Sequence, residues 1–306
     1  MRKVIQIVAV SSAVVAASGI ALGWLWWQQA IELPAVAVRG LGRVAGLMSV
    51  EGTMDVQLPI SFHRQEHSLS CEIATLKMAL DSYGITIPEA SLIDQLPFDR
   101  TPKGGGVWGD PNEGFVGSID GKMLVTGYGV YWDPIAKVGQ RYRRTEVLRN
   151  STAAEVAGHI AAGRPVIVWG YYGRYKPYSW TAANGKAVQA VNGEHVRIVT
   201  GFNGSAQAPT QFSLIDPIFG PITWSTNKFM ENWTSLGRHA VVVYPHPRWV
   251  RVVGSNRIWE ISKDGTTRQA VLSWDAFVAR GGFDEAVLSI DNATLLEYKL
   301  GDAIAS

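Results

Sequence analysis

Helix patterns come first along this chain and strand patterns follow, and that order narrows the fold more than any composition figure. Ser70 to Ser82 carries an apolar face at Ile73, Leu76, Met78, Ala79 and Leu80, and predicts a helix with Ser68 or Ser70 as its N-cap. Pro88 to Leu96 predicts a second helix, with proline in the first turn, where a missing N–H is no loss. Ser151 to Ala162 predicts a third, capped by Ser151, with Val156 and Ile160 facing inward. Strands are expected at 164–171 (RPVIVWGY, apolar and β-branched), 195–202 (HVRIVTGF, alternating), 211–215 (QFSLI, closing at Asp216-Pro217) and 238–244 (RHAVVVY). Segregated elements of this kind predict an α+β fold with an antiparallel sheet.

The flanks differ from this central part. Val4 to Trp27 is a run of 24 residues without a charge, about 36 Å as a helix and long enough for a hydrocarbon core of about 30 Å. Arg2 and Lys3 precede it and the next charge is Glu32, so the positive-inside bias predicts a cytoplasmic N-terminus and the bulk of the chain outside. A cleaved signal peptide is the rival reading of the same run, with Ala17-Ser18-Gly19 as a cleavage site. The expected organisation is a membrane anchor or signal segment over 1–30, a linker over 31–57, the main domain over 58–244 and a small β-rich module over 245–306. That last module shows a hairpin pattern around Asp264-Gly265 and a short helix ended by Gly281 or Gly282. Residues 99–123, dense in Gly, Asp, Asn and Pro, form a long loop of the kind that usually serves function. A net charge of +2 without Lys/Arg runs gives no reason to expect nucleic acid as a partner.

The chain has one cysteine, Cys71, at the mouth of the first helix. A helix N-terminus lowers a thiol pKa by placing partial positive charge beside it. His195 opens a strand and Asp216 ends the next, 21 residues later. Paired strands lie about 4.8 Å apart, so the two side chains can meet, the histidine moving the thiol proton and the acid fixing its ring. Gln65, six residues before Cys71, offers an amide N–H to a developing oxyanion together with the Cys71 backbone N–H. His63 and His67 stand four apart, but no Cys or carboxylate pattern completes a metal site, and no cofactor is expected. Trp108, Trp132, Tyr171 and Tyr172 are expected mainly as packing.

Gln65-x5-Cys71 before a helix, GEHVRIVTGF around His195, LIDP at Asp216, GRPVIVWG and DPNEGFVG together resemble papain-clan cysteine peptidases. The nearest likeness is to the double-glycine leader peptidase-like group, the bacteriocin-processing peptidase domain and its stand-alone relatives. The resemblance covers about 58–244 and implies a papain-like fold, Cys71 as nucleophile, His195 as base, Asp216 as orienting acid and Gln65 as oxyanion donor. It departs at Glu72, where the small residue after the cysteine is commonly Gly. The implied activity is extracytoplasmic hydrolysis of a peptide or amide bond, on a peptide or protein substrate, with any export partner a separate protein. A catalytically silent peptide- or cell-wall-binding domain and a cell-wall amidase or transpeptidase are the alternatives.

Overall fold

The computed structural model describes residues 55–304. The apolar run at 4–27 and nearly all of the expected linker lie outside them. Among the described residues no helix is long and apolar enough to cross a membrane.

A seven-stranded sheet organises the chain. Its strands are β1 (Val56–Gln57), β2 (Thr145–Leu148), β3 (Val166–Tyr171), β4 (Glu194–Gly204), β5 (Pro209–Asp216), β6 (Gly220–Ser225) and β7 (Ala240–Val243). The order is β6-β5-β4-β3-β7-β2, with β1 added to the far end of β4, and every pairing is antiparallel. The sheet thus begins at Val56, two residues ahead of the expected domain start.

Both faces of the sheet are covered, which explains why its central strands are continuous apolar runs rather than alternating ones. Along β3, Ile167 and Trp169 join one core with Ile73, Leu76 and Leu80 of helix α1 (Cys71–Asp81). Val166 and Val168 join the other, with Val156 and Ile160 of a later helix and Phe229 and Trp233 of another. β7 divides the same way, Val241 and Val243 against Ala240 and Val242, as the two-residue period of a strand requires. Each such valine, leucine, isoleucine or phenylalanine side chain, fully buried, contributes roughly 1.5–3 kcal/mol.

Helix α2 (Glu89–Ile93) starts behind Pro88 and is shorter than its sequence pattern. Helix α3 (Trp132–Gln140) packs beside α1, and α4 (Ala153–Ala161) and α5 (Thr226–Thr234) cover the opposite face. The cap of α4 is Thr152 rather than Ser151. Thr152 Oγ1 accepts from the Glu155 N–H at 3.2 Å and the Thr152 N–H donates to the Glu155 carboxylate in return, while the Ser151 hydroxyl donates to the same carboxylate. Ser70 caps α1 only by position, because its hydroxyl bonds His67 instead of the helix N–H groups.

The loop at 99–123 is partly ordered by pairing. Val107–Trp108 lies parallel to Pro177–Ala182, which forms a hairpin with Ala187–Val191. Residues 249–300 carry a separate five-stranded sheet. In it Ile258–Ile261 and Thr267–Ala270 flank the Asp264-Gly265 turn, and Trp249 and Phe277 are fully buried. The helix Trp274–Ala279 ends at Gly281, whose φ of +79° is the left-handed conformation a glycine adopts without a Cβ penalty.

Candidate active site

Cys71 is the first residue of α1 and is buried. The backbone N–H of Val196, the residue after His195, acts on the Cys71 sulfur in favour of the thiolate, so the thiol rests against β4. Cys71, His195 and Gln65 line one cleft, together with Leu69, Met123, Tyr128, Tyr172, Glu194 and Ile218.

The strand period sorts the side chains of β4. Val196 and Ile198 pack in the α1-facing core. His195 and Arg197 point the other way, toward Asp216 at the end of β5. His195 Nε2 is 2.9 Å from Asp216 Oδ1, which commits that nitrogen and leaves Nδ1 as the uncommitted one among the described residues. Arg197 Nε donates to Asp216 Oδ2 at 2.8 Å, and the N–H groups of Ile218 and Phe219 donate to Oδ1 at 2.9 and 3.3 Å. Burial raises the carboxyl pKa, but the His195 bond and the charges of His195 and Arg197 outweigh it and hold Asp216 at about 2. Burial pushes the His195 imidazole below its ordinary value and the Asp216 bond only partly restores it. A neutral imidazole with its Nε2–H on a carboxylate is a base at Nδ1.

Gln65 is placed by the turn that carries Asp216. Its N–H donates to Pro217 O at 3.0 Å, and the neighbouring Arg64 reaches Ile218 O. From the other side, buried Glu89 accepts from the Glu66 N–H at 3.1 Å and lies 2.7 Å from His63 Nε2. His63 and Glu89 therefore brace this segment, and His67 pairs with Asp120 at 2.8 Å. The Gln65 amide does not point its donors into the cleft. Nε2 donates to His67 O at 2.8 Å and Ser68 O at 3.1 Å, and Oε1 has no partner among the described residues.

The charge environment of the thiol comes from a residue that the sequence did not single out. Glu194, on the α1 side of β4, lies with Glu72 and Cys71 so that their reactive atoms are all within 4.8 Å of one another. Cys71 Sγ donates to Glu72 Oε2 at 3.3 Å, and Glu72 Oε1 accepts from the Val130 N–H at 2.7 Å. Burial, then the Glu72 and Glu194 charges, push the thiol well above its ordinary pKa, against the Val196 N–H. The helix N-terminus does not prevail here, and the resting sulfur is a protonated thiol. Of the aromatic candidates, Trp108 and Trp132 are core, while half-exposed Tyr172 lines the cleft with its ring tilted against exposed Phe219, centroids 5.3 Å apart.

An antiparallel sheet flanked by helices, with a thiol on a helix and an imidazole held on a neighbouring strand, is the build of a peptidase-like protein. The chain belongs to the Peptidase_C39 like family, whose model matches residues 57–241. Over 181 residues it is 26% identical to the uncharacterized protein YvpB of Bacillus subtilis (strain 168), covering 56% of this chain and 68% of YvpB. A crystal structure described as a C39-like peptidase from Bacillus anthracis matches with a TM-score of 0.55 and 25% identity, over 62% of this chain and 98% of that one. The peptidase domain of Streptococcus ComA, a bi-functional ABC transporter, aligns with 15% identity and a TM-score of 0.37, over 61% of this chain and 99% of that one.

Proposed function

We propose that this chain is an extracytoplasmic cysteine peptidase, hydrolysing a peptide or amide bond by thiol acyl transfer and tethered by its N-terminal apolar segment. The single observation that supports the reading is the 2.9 Å contact of His195 Nε2 with Asp216, at a cleft that His195 and Cys71 both line. The thiol proton passes to Nδ1, and sulfur attacks the substrate carbonyl carbon. The oxyanion is received by the Cys71 backbone N–H and by the Gln65 amide, once substrate draws it from His67 O and Ser68 O. The imidazolium then protonates the leaving nitrogen, and water, deprotonated by the same imidazole, releases the acyl group. A lone cysteine suits export to an oxidising compartment, where a second thiol would form disulfides.

The protonated thiol beside two carboxyl groups favours one other reading, a peptide-binding domain without turnover. The test is Cys71→Ala and His195→Ala on the full chain, with labelled peptides, muropeptides and a thiol-directed probe. The peptidase reading expects no turnover by either variant and slow labelling of His195→Ala. Equal labelling of wild type and His195→Ala overturns it, and peptide binding by a wild type that never cleaves favours the silent domain.

A further inference from the structure

The strand period of β4 sets Glu194 on the side of the sheet away from Asp216, and Glu72 is the second residue of α1. Both are almost fully buried, at 3% and 1% exposure. They meet over Gly129, where a Cβ would stand 2.6 Å from Glu72 Oε1 and 2.9 Å from Glu194 Oε2. Glu194 Oε1 has no hydrogen-bond partner among the described residues, although it is out of water. Two buried carboxylates so close cannot both ionise without a cation between them, and acids of this kind share a proton.

We propose that Glu72 and Glu194 form a proton-sharing acid pair, and that Glu72 in its acid form donates a hydrogen bond to the Cys71 sulfur as the thiolate forms, which makes Glu72 a catalytic residue. The inference rests on the peptidase reading of the cleft. In the resting site the thiol is the donor, to Glu72 Oε2 at 3.3 Å. When the thiol proton moves to His195 Nδ1, the same contact reverses. The proton of the pair sits on Oε2 and faces S⁻, and the Val196 N–H supplies a second donor. The acid proton stays on Glu72 throughout, so the step creates one thiolate and one imidazolium and consumes nothing. If the pair has lost its last proton, two negative charges stand beside the sulfur and the thiolate is suppressed.

The other groups facing the pair do not neutralise it. From β4, the cation Arg197 acts on Glu194, and its guanidinium is committed to Asp216 on the opposite side. From α2 comes the acid Glu89, and from the segment before α3 come the neutral phenols Tyr128 and Tyr131. Burial is the main reason both carboxyls are displaced upward, Glu72 to about 7 and Glu194 well above its ordinary range.

The experiment is the rate at which iodoacetamide alkylates Cys71 in the full chain, from pH 4 to pH 10, followed by mass spectrometry. It needs no peptide turnover, so it fails or succeeds independently of the peptidase reading. Wild type is expected to label fastest at mildly acid to neutral pH and to slow as the pair deprotonates. Glu72→Gln offers a permanent N–H donor, so it labels severalfold more slowly but without the alkaline decline. Glu72→Ala, with no donor, labels at least tenfold more slowly than Glu72→Gln at pH 5. Glu194→Gln removes the partner charge, so Glu72 ionises more readily and the decline moves to lower pH. Thermal melts of each variant check folding. Wild-type alkylation of Glu72→Ala across the range, or an unchanged pH profile in both glutamine variants, overturns the proposal.

Discussion

Arg197 Nε stands 2.8 Å from Asp216 Oδ2 while His195 Nε2 stands 2.9 Å from Oδ1, so one buried carboxylate serves a permanent cation and an imidazole together. The guanidinium also lies over the Trp224 ring, 4.7 Å from its centroid, and NH1 donates to Tyr171 O. An acid so held stays ionised at any pH at which the protein works, and its grip on the ring cannot wander. An acidic residue on each side of β4 keeps the functions apart: Asp216, ionised, holds the imidazole, and Glu194 lies beside the thiol.

Removing the cation leaves that carboxylate buried with only the imidazole and two N–H groups. Breaking one partner of a buried pair costs about 3–5 kcal/mol. Arg197→Gln is therefore expected to lower the unfolding free energy from urea denaturation by that amount, and to lower kcat/KM at least tenfold as the His195 ring loses its fixed partner. Arg197→Lys keeps the charge without the planar fork and falls between. A Gln variant within 1 kcal/mol of wild type, measured by urea denaturation, would show that Asp216 does not depend on Arg197.

Stability should respond to pH in opposite directions at the two acids. Glu72 is raised on folding from 4.5 to about 7, first by burial, so its acid form is favoured in the folded chain. Its contribution is complete below 4.5 and disappears as pH rises through about 7. Asp216 is lowered from 3.8 to about 2, so its contribution is complete above 3.8 and disappears as pH falls through about 2. Melting temperatures from pH 4 to pH 8 should decline in wild type, and Glu72→Gln should flatten that decline. A flat wild-type profile contradicts the buried-acid picture.

Gly129 holds open the space the two carboxyl groups occupy. Its φ of +144° is rare for residues with a side chain, and an added Cβ meets two oxygens that packing already fixes. Gly129→Ala is expected to cost about 1–3 kcal/mol by overpacking and to disturb thiol labelling more than a surface Gly→Ala change such as Gly158→Ala, where nothing lies within 4 Å of the new Cβ. Equal urea midpoints for the two variants would refute this.

The sequence exposes what periodicity and local chemistry write into it. β3 and β7 are apolar, β-branched runs, and β4 carries its histidine at the strand mouth. Cys71, His195, Asp216 and Gln65 stand out because their residue types and order match a known use. Glu194 does not, because its partner Glu72 is 122 positions away and no period links them. Helix α3 is hidden by Pro134, which is harmless only because it falls in the first turn. The hairpin at 177–191 is hidden by exposed polar positions between its buried Trp180, Ala182, Val188 and Ala190. The direction of the Gln65 amide depends on the carbonyls of His67 and Ser68, which only the folded loop brings beneath it.

That direction makes Gln65 the most discriminating position of the four. If its amide swings from the two carbonyls to an oxyanion, Gln65→Ala loses a donor that acts in the transition state and a contact that merely orders the loop. Loss of one oxyanion donor typically lowers kcat by about 10²–10³, whereas the two bonds to loop carbonyls, partly open to water, contribute only about 0.5–1.5 kcal/mol each to stability. The expected outcome is a fall in kcat of about 100-fold with KM little changed, and Cys71 alkylation close to wild type because no oxyanion forms in that reaction. Steady-state kinetics beside iodoacetamide labelling separates the cases. A parallel loss in both assays would mean that Gln65 only shapes the loop, and the oxyanion would then rest on the Cys71 N–H alone.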